Sequence, residues 1–520
     1  MQQPDSQSAL QIIDWLIIGA YFTFVIWLGS HFGKRQTSSD RYFLGNRRLP
    51  GWAVGMSIFA TIISSWSFLG LPGKSFSSDM QYLMTIALIP LTVCIATFLL
   101  IPLFRNKVRL SAYEYLERRF GLFARFYGDI LFIAGHFFKM SMVLYLMCLA
   151  LAGVTGWHVI ILIVIVGLAT TTYTFFGGIE GVVWTDVTQG FLLLAGGVLT
   201  LCFLLFKAPL GATDVLAAAS EAGKFKLVSL DFGWDKVSVC VLLCFGFNHY
   251  MAKYGTDQTV VQRYLLAPSS RQASRALWIS VLFLGIVWVL FMTVGALLWV
   301  FYEMRPELLP DAVRAKPDQV LAYFIGHQLP VGVTGLILAG IFAASMSTLS
   351  SDLNSLASVL SEDFYGKLVK TGSDRQRLLF SRTSVLVAGI LSIFLATLLT
   401  KVQSIVDAFF TFSAIMAGGM MGMFFLGLFT KRCSTRGLYI GLCIGVAFIA
   451  WAALTNPDRM DPSSLPWLPK YGIHIYWLGL LGNIIVFVSG YAASLIVSPG
   501  HIAGDGLTIY ASTPVEALKK

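Results

Sequence analysis

The sequence of 520 residues carries a formal net charge of +10, yet it is 56% hydrophobic and only 12% charged. A soluble chain averages roughly 45–50% apolar and 25% charged residues, so this one has too little charge to cover a soluble surface of its size. Its apolar stretches recur from end to end at about the 20 residues that cross a bilayer, which makes the lipid bilayer its expected surroundings.

In chain order, membrane spans are expected at 12–32, 51–73, 80–104, 126–152, 157–175, 182–206, 237–253, 276–302, 331–360, 383–400, 404–430, 437–454 and 476–497. The chain thus reads as an all-α polytopic membrane protein of about thirteen transmembrane helices. The opening span has no basic region before it and no small-residue cleavage site after it, and is read as retained rather than a signal peptide. Alternate connections collect the positive charge. Lys34 to Arg48, Arg105 to Arg125, Lys253 to Arg275, Lys367 to Arg382, Lys431 to Arg436 and Lys519–Lys520 place 25 of the 37 basic residues on one side, against 10 on the other. By the positive-inside rule the N-terminus is outside and the C-terminal tail cytoplasmic. The basic balance is therefore a topology signal, and no nucleic-acid partner is expected.

No connection is long enough for a soluble catalytic domain, and Lys207-Ala-Pro-Leu-Gly211 reads as a loop. The seven cysteines include no C-x-x-C pair and read as small apolar packing residues. No phosphate-cradling glycine loop is present, so an ion gradient is the expected energy source. An intramembrane enzyme would need an acid–base or metal cluster that the spacing does not supply. A membrane solute sensor would be expected to carry a signalling domain beyond the short tail after 497.

Polar groups at membrane depth carry the remaining signal. In Ala343-Ala-Ser-Met-Ser-Thr-Leu-Ser-Ser-Asp-Leu-Asn-Ser355, helical spacing puts Ala344, Ser347, Thr348 and Ser351 in one stripe, with Ser350 at its edge. Small residues also let membrane helices approach closely, but five hydroxyls in nine residues exceed what packing requires. Hydroxyls and free carbonyls suit a hard cation such as sodium. The span from Gly51 to Gly70 holds Ser57, Thr61, Ser64, Ser65 and Ser67, with Pro72 beyond it; a broken helix here would expose backbone groups to a cavity. Asp186, in Trp184-Thr-Asp-Val-Thr-Gln189, is either a boundary residue or a cation ligand. Lys139 lies mid-span, where a lysine must be paired or give up its proton, and no carboxylate partner is evident. It either contacts an anionic solute or serves the scaffold or a gate. Lys74 is read as an interface residue snorkelling to water. His136 either hydrogen-bonds within the bundle or relays protons.

Together these pieces resemble the sodium:solute symporter family, which includes glucose, proline, iodide and sialic acid symporters. The resemblance rests on Arg41-Tyr-Phe-Leu-Gly-Asn-Arg-Arg-Leu-Pro-Gly-Trp52, Trp184-Thr-Asp-Val-Thr-Gln189, Thr256-Asp-Gln-Thr-Val-Val-Gln-Arg263 and the serine-rich helix, in the family's order over residues 34–360. It implies a core of two inverted five-helix repeats, 51–206 and 237–430, each with its first helix broken at mid-membrane. Residues 1–50 would form an outer helix and cytoplasmic loop, 207–236 an extracellular loop, and 431–520 the C-terminal helices and tail. The implied function is sodium-coupled import of a small organic solute across the plasma or inner membrane, with no enzyme activity and no required protein partner. The general sodium site would use carbonyls of Ala60, Ile63 and Ala344 with the hydroxyls of Ser347 and Thr348. A second sodium, bound in some members, would use Asp186, Ser347, Ser350 and Ser351. Solute would meet Ser64, Ser67 and Lys139, with Phe247 and Asn248 as further candidates. Sialic acid members resemble this chain here but carry arginine where Lys139 stands. Lysine lacks the bidentate fork of arginine, which leaves an anionic, sialic-acid-like solute and a neutral hexose as the two readings.

Overall fold

The computed structural model describes residues 10–107, 111–207, 211–369, 373–400, 419–455, 469–498 and 507–510. Among them every regular element is helical, and none is a strand. Among the described residues nine helices are long and apolar enough to cross a membrane, or ten when one bent pair is taken as a single span. Residues 404–418 of the span expected at 404–430, the stretch 208–210 of the expected loop, and Lys401, Arg459, Lys519 and Lys520 lie outside the described residues; the rest of that span holds a helix at Met420–Phe429.

Helix α1 (Ile12–His31) turns Ile12, Leu16 and Trp27 outward, as a lipid-facing helix must. The bent pair is α2 (Gly51–Ile62) and α3 (Ser65–Ser77), set at 60° to each other. Ile63 (φ −84°, ψ 132°) and Ser64 (φ −132°, ψ −179°) are extended, so the carbonyls at the end of α2 lose their helical partners. The Ser64 N–H donates to the Ser67 hydroxyl at 3.4 Å, which starts α3. At its far end Lys74 is exposed, with Nζ over the Tyr82 ring.

Helix α4 (Leu122–Thr155) carries Lys139 at its middle. The spans expected at 157–175 and 182–206 form one helical run without a loop, α5 (Val159–Lys207), jointed at Gly178. That glycine has φ +56°, and a Cβ there would stand 2.8 Å from the Tyr42 ring, so no other residue fits the joint. The expected extracellular loop holds a short helix, Ala212–Glu221.

In the second half, α6 (Val239–Gly255) runs unbroken through the expected span 237–253. The interruption comes after it, at Thr256 and Asp257, where the Asp257 side chain caps α7 (Gln258–Leu265). Helix α8 (Ser270–Glu303) packs on both halves of the bent pair. Gly295 permits this: a Cβ there would lie 2.2 Å from the Pro72 carbonyl oxygen.

The serine-rich segment is α9 (Val333–Val359), at the centre of the bundle against α1, α2, α3, α4 and α5. In its most apolar stretch 89% of residues are buried, against 22% for α1. Its hydroxyls therefore face protein, the condition under which polar side chains are tolerated at this depth. The expected span 80–104 is helical over Gln81–Arg105, and helices α10 (Asp374–Leu399), α11 (Thr435–Thr455) and α12 (Trp477–Val497) are the remaining spans among the described residues.

Candidate functional site

The break between α2 and α3 lies against α9, and two hydroxyl and four carbonyl oxygens meet there. The Ser347 hydroxyl is 2.9 Å from the Ala60 carbonyl and 3.2 Å from that of Ala344. The Thr348 hydroxyl is 2.9 Å from the Ile63 carbonyl, 3.2 Å from that of Ala344 and 3.5 Å from that of Thr61. Each hydroxyl has one proton to donate, so two protons serve at least three carbonyls whose lone pairs converge. A cation relieves such an excess of acceptors, and unwound membrane helices coordinate sodium through carbonyls of this kind. All five residues expected for the general site are thus brought together, with no fixed charge among them.

One turn further along α9, the surroundings change. Asp186 on α5 is fully buried, and its Oδ2 accepts from the Ser57 hydroxyl at 2.6 Å and the Ser351 hydroxyl at 3.3 Å. Arg263, equally buried on α7, reaches the same oxygen with Nη2 at 3.4 Å. It also donates to Ser57 at 2.9 Å and to Ser351. Asp186 Oδ1 has no hydrogen-bond partner among the described residues. Ser347 is engaged at the break, and Ser350 donates to the Ser347 carbonyl at 3.1 Å. The structure therefore joins Asp186 to Ser351, while the hydroxyls of Ser347 and Ser350 point elsewhere.

Arg263 corrects the charge tally taken from sequence, which set it in a cytoplasmic loop. It is a buried partner for Asp186, and Val260, Val261, Tyr264 and Leu265 around it were the available signal. Asp186 is then no boundary residue.

Beside the break opens a cavity of about 340 Å³. Ser64, Ser67, Lys139 and Asn248 line it, with aromatic walls from Trp66, Tyr82 and Trp288. Phe247 is not in the lining; Phe245 is, because it shares a face of α6 with Asn248 and Ala252 at helical spacing. Asn248 accepts from Asn483 at 3.2 Å.

Lys139 has the partner that sequence reasoning did not find. Its Nζ lies 3.0 Å and 3.1 Å from the two carboxylate oxygens of Asp352, one residue beyond Ser351 on α9. The signal lay inside the serine-rich motif, where Asp352 stood among the hydroxyls. His136 Nδ1 meets the Phe132 carbonyl at 3.0 Å, while Nε2 lies 3.5 Å from Asp257 and 3.6 Å from Asp352. Asp257 in turn pairs with Lys253.

The comparisons agree with this architecture. Residues 42–445 match the model of the sodium:solute symporter family. The chain is 33% identical to the sodium/sialic acid symporter NanT of Aliivibrio fischeri over 486 residues, covering 92% of each. It is 32% identical to the sodium/sialic acid symporter SiaT of Proteus mirabilis, covering 94% of this chain and 96% of that one. A solved structure of a substrate-bound, outward-open Na+-coupled sialic acid symporter, described as revealing a novel Na+ site, superposes with a TM-score of 0.86 at 31% identity, over 95% of this chain and 99% of the other. The chain belongs to the sodium:solute symporter family, and is a sodium-coupled membrane transporter rather than an enzyme.

Proposed function

We propose that this transporter imports a small carboxylate-bearing solute of the sialic acid type, driven by sodium bound at the α2–α3 break through Ala60, Ile63, Ala344, Ser347 and Thr348. The observation that carries the solute reading is the cavity wall beside that break, where the Lys139 ammonium and the hydroxyl-bearing Ser64 and Ser67 line one space. A carboxylate there gains charge-assisted hydrogen bonds, with Asn248 a further polar group on the wall. Bound sodium would hold α9 against the break and favour an outward-open state, and solute would then bind and the core rock inward. The two repeats, 51–206 and 237–430, would provide the rocking parts. Asp186 with Ser351 would hold a second sodium, its charge shared with Arg263. The N-terminus would be outside and the C-terminal tail cytoplasmic, in the plasma or inner membrane.

The Lys139–Asp352 pair favours a second reading, a sodium/sugar symporter for a neutral hexose, because the lysine charge is already met. Uptake of labelled N-acetylneuraminate and labelled glucose into proteoliposomes, each with an inward sodium or potassium gradient, separates the two. Sodium-dependent uptake of the acid is expected; sodium-dependent uptake of glucose alone would replace the anion reading with the hexose one.

A further inference from the structure

The Lys139–Asp352 pair is lopsided. The Asp352 side chain is wholly buried, whereas Lys139 keeps 21% of its side chain exposed towards the cavity. The open side of the pair is therefore Lys139, on the wall that Ser64 and Ser67 share. An ammonium has three donors and no acceptor, and Asp352 engages it through both carboxylate oxygens.

Asp352 also has somewhere to turn. His136 Nε2 lies 3.6 Å away on α4, and the same nitrogen lies 3.5 Å from Asp257, which Lys253 pairs. Lys139, Asp352, His136, Asp257 and Lys253 thus form one row of neighbouring titratable groups drawn from α4, α9 and the α6–α7 junction. A buried pair with no alternative partner stays locked, since parting it strands a charge. In this row a carboxylate that leaves Lys139 remains beside an imidazole.

We propose that Asp352 is a resident substitute for the solute's carboxylate: it holds Lys139 in the empty cavity and yields it to the carboxylate of an incoming solute. The inference rests on the carboxylate reading of the cavity given above, and adds the residue that sets its selectivity. One charge-assisted bond is exchanged for another, so binding is weak enough to reverse, as a transporter requires. A solute without a carboxylate cannot displace Asp352, and so meets no more of Lys139 than the donor that Asp352 leaves over. The internal competitor also lowers affinity for every carboxylate, and removing it raises that affinity.

The test is calorimetric titration of N-acetylneuraminate, in sodium, into purified full-length wild type, Asp352→Asn and the double variant Lys139→Met/Asp352→Asn. Asp352→Asn is expected to bind about tenfold tighter, the size of a charge-assisted hydrogen bond no longer surrendered, and the double variant to lose binding. Unchanged or weaker binding by Asp352→Asn, with binding lost in the double variant, overturns the exchange and leaves the carboxylate reading standing. Equal binding by the double variant and the wild type, zero included, sinks the carboxylate reading and the exchange with it. Solid-state NMR on the wild type supplies a check that does not depend on a variant folding. With ¹⁵N-lysine and ¹³C-aspartate labels, the Lys139 Nζ proximity to an aspartate Cγ should vanish on adding solute, replaced by proximity to the solute's ¹³C-carboxylate. Its persistence with solute bound would overturn the proposal.

Discussion

Two stretches of α9, a single turn apart, handle polarity in opposite ways. Ser347 and Thr348 face only neutral oxygens at the α2–α3 break, whereas Ser351 faces Asp186 and Arg263, a carboxylate and a guanidinium both fully buried. Any attraction of the neutral cluster for a cation would come from geometry alone, through carbonyls freed by two extended residues. The charged cluster is held by its own ion pair, and any cation there must share the carboxylate with Arg263. The first should therefore be sensitive to single hydroxyls and insensitive to net charge, and the second the reverse.

The largest effect should come from breaking the charged cluster. Arg263→Met removes the cation beside Asp186 and should cost about 3–5 kcal/mol, as stranding one partner of a buried pair does. Detergent-solubilised protein should lose thermal stability whether or not sodium is present. A variant as stable as the wild type would show that Asp186 does not depend on Arg263.

Next in size is the neutral cluster. Ser347→Ala and Thr348→Ala each remove one of the converging oxygens and little packing. Each should raise the sodium concentration for half-maximal uptake by about tenfold, the value of one lost charge-assisted contact, without lowering the melting temperature in sodium-free buffer. Unchanged sodium dependence in both would remove the cation from this break. A subtler change is expected at Asp186: if it holds a second ion, wild-type uptake rises with sodium with a Hill slope above one, and Asp186→Asn lowers that slope towards one. A wild-type slope of one would leave Asp186 and Arg263 as scaffold.

The smallest effect is expected for Ser350→Ala. Its hydroxyl donates to a carbonyl of its own helix, and losing such a bond should change stability by no more than about 0.5 kcal/mol. A shift in sodium half-saturation as large as that of Thr348→Ala would bring Ser350 into the ion site and redraw the boundary between the two clusters.

How much of this was legible in the sequence follows from the physics of each feature. Span positions were clear because bilayer crossing demands long apolar runs. Helix ends were not: α10 starts at Asp374, ahead of the expected 383, because its polar first turn, Asp374-Arg-Gln-Arg377, extends the helix beyond the apolar run, and α4 starts at Leu122 rather than 126, with Arg125 in its first turn. A break in the span from Gly51 was expected from the family resemblance together with its serines, while its place at Ile63–Ser64 was not marked by any residue there. The interruption of the second half was not placed, because Thr256–Asp257 falls past the apolar residues of α6. The hydroxyl stripe was legible since helical spacing fixes which side chains share a face. Ion pairs between distant segments leave no such trace. Asp352 and Lys139 are 213 positions apart, and Asp186 and Arg263 are 77. Counting charges by loop therefore hid Arg263 and left Lys139 without a partner.

The most direct test of the account is sodium binding itself, measured as the melting temperature of purified wild type and of Ser347→Ala/Thr348→Ala across a sodium titration at constant ionic strength, with potassium as the balancing ion. Binding to the folded state alone stabilises by about 2.7 kcal/mol at a hundred times the dissociation constant. The wild type should therefore melt progressively higher as sodium replaces potassium, and the double variant should show little of that rise while melting like the wild type in potassium alone. A double variant that retains the full sodium-dependent rise with the same half-saturation would contradict the placement of the ion at the α2–α3 break.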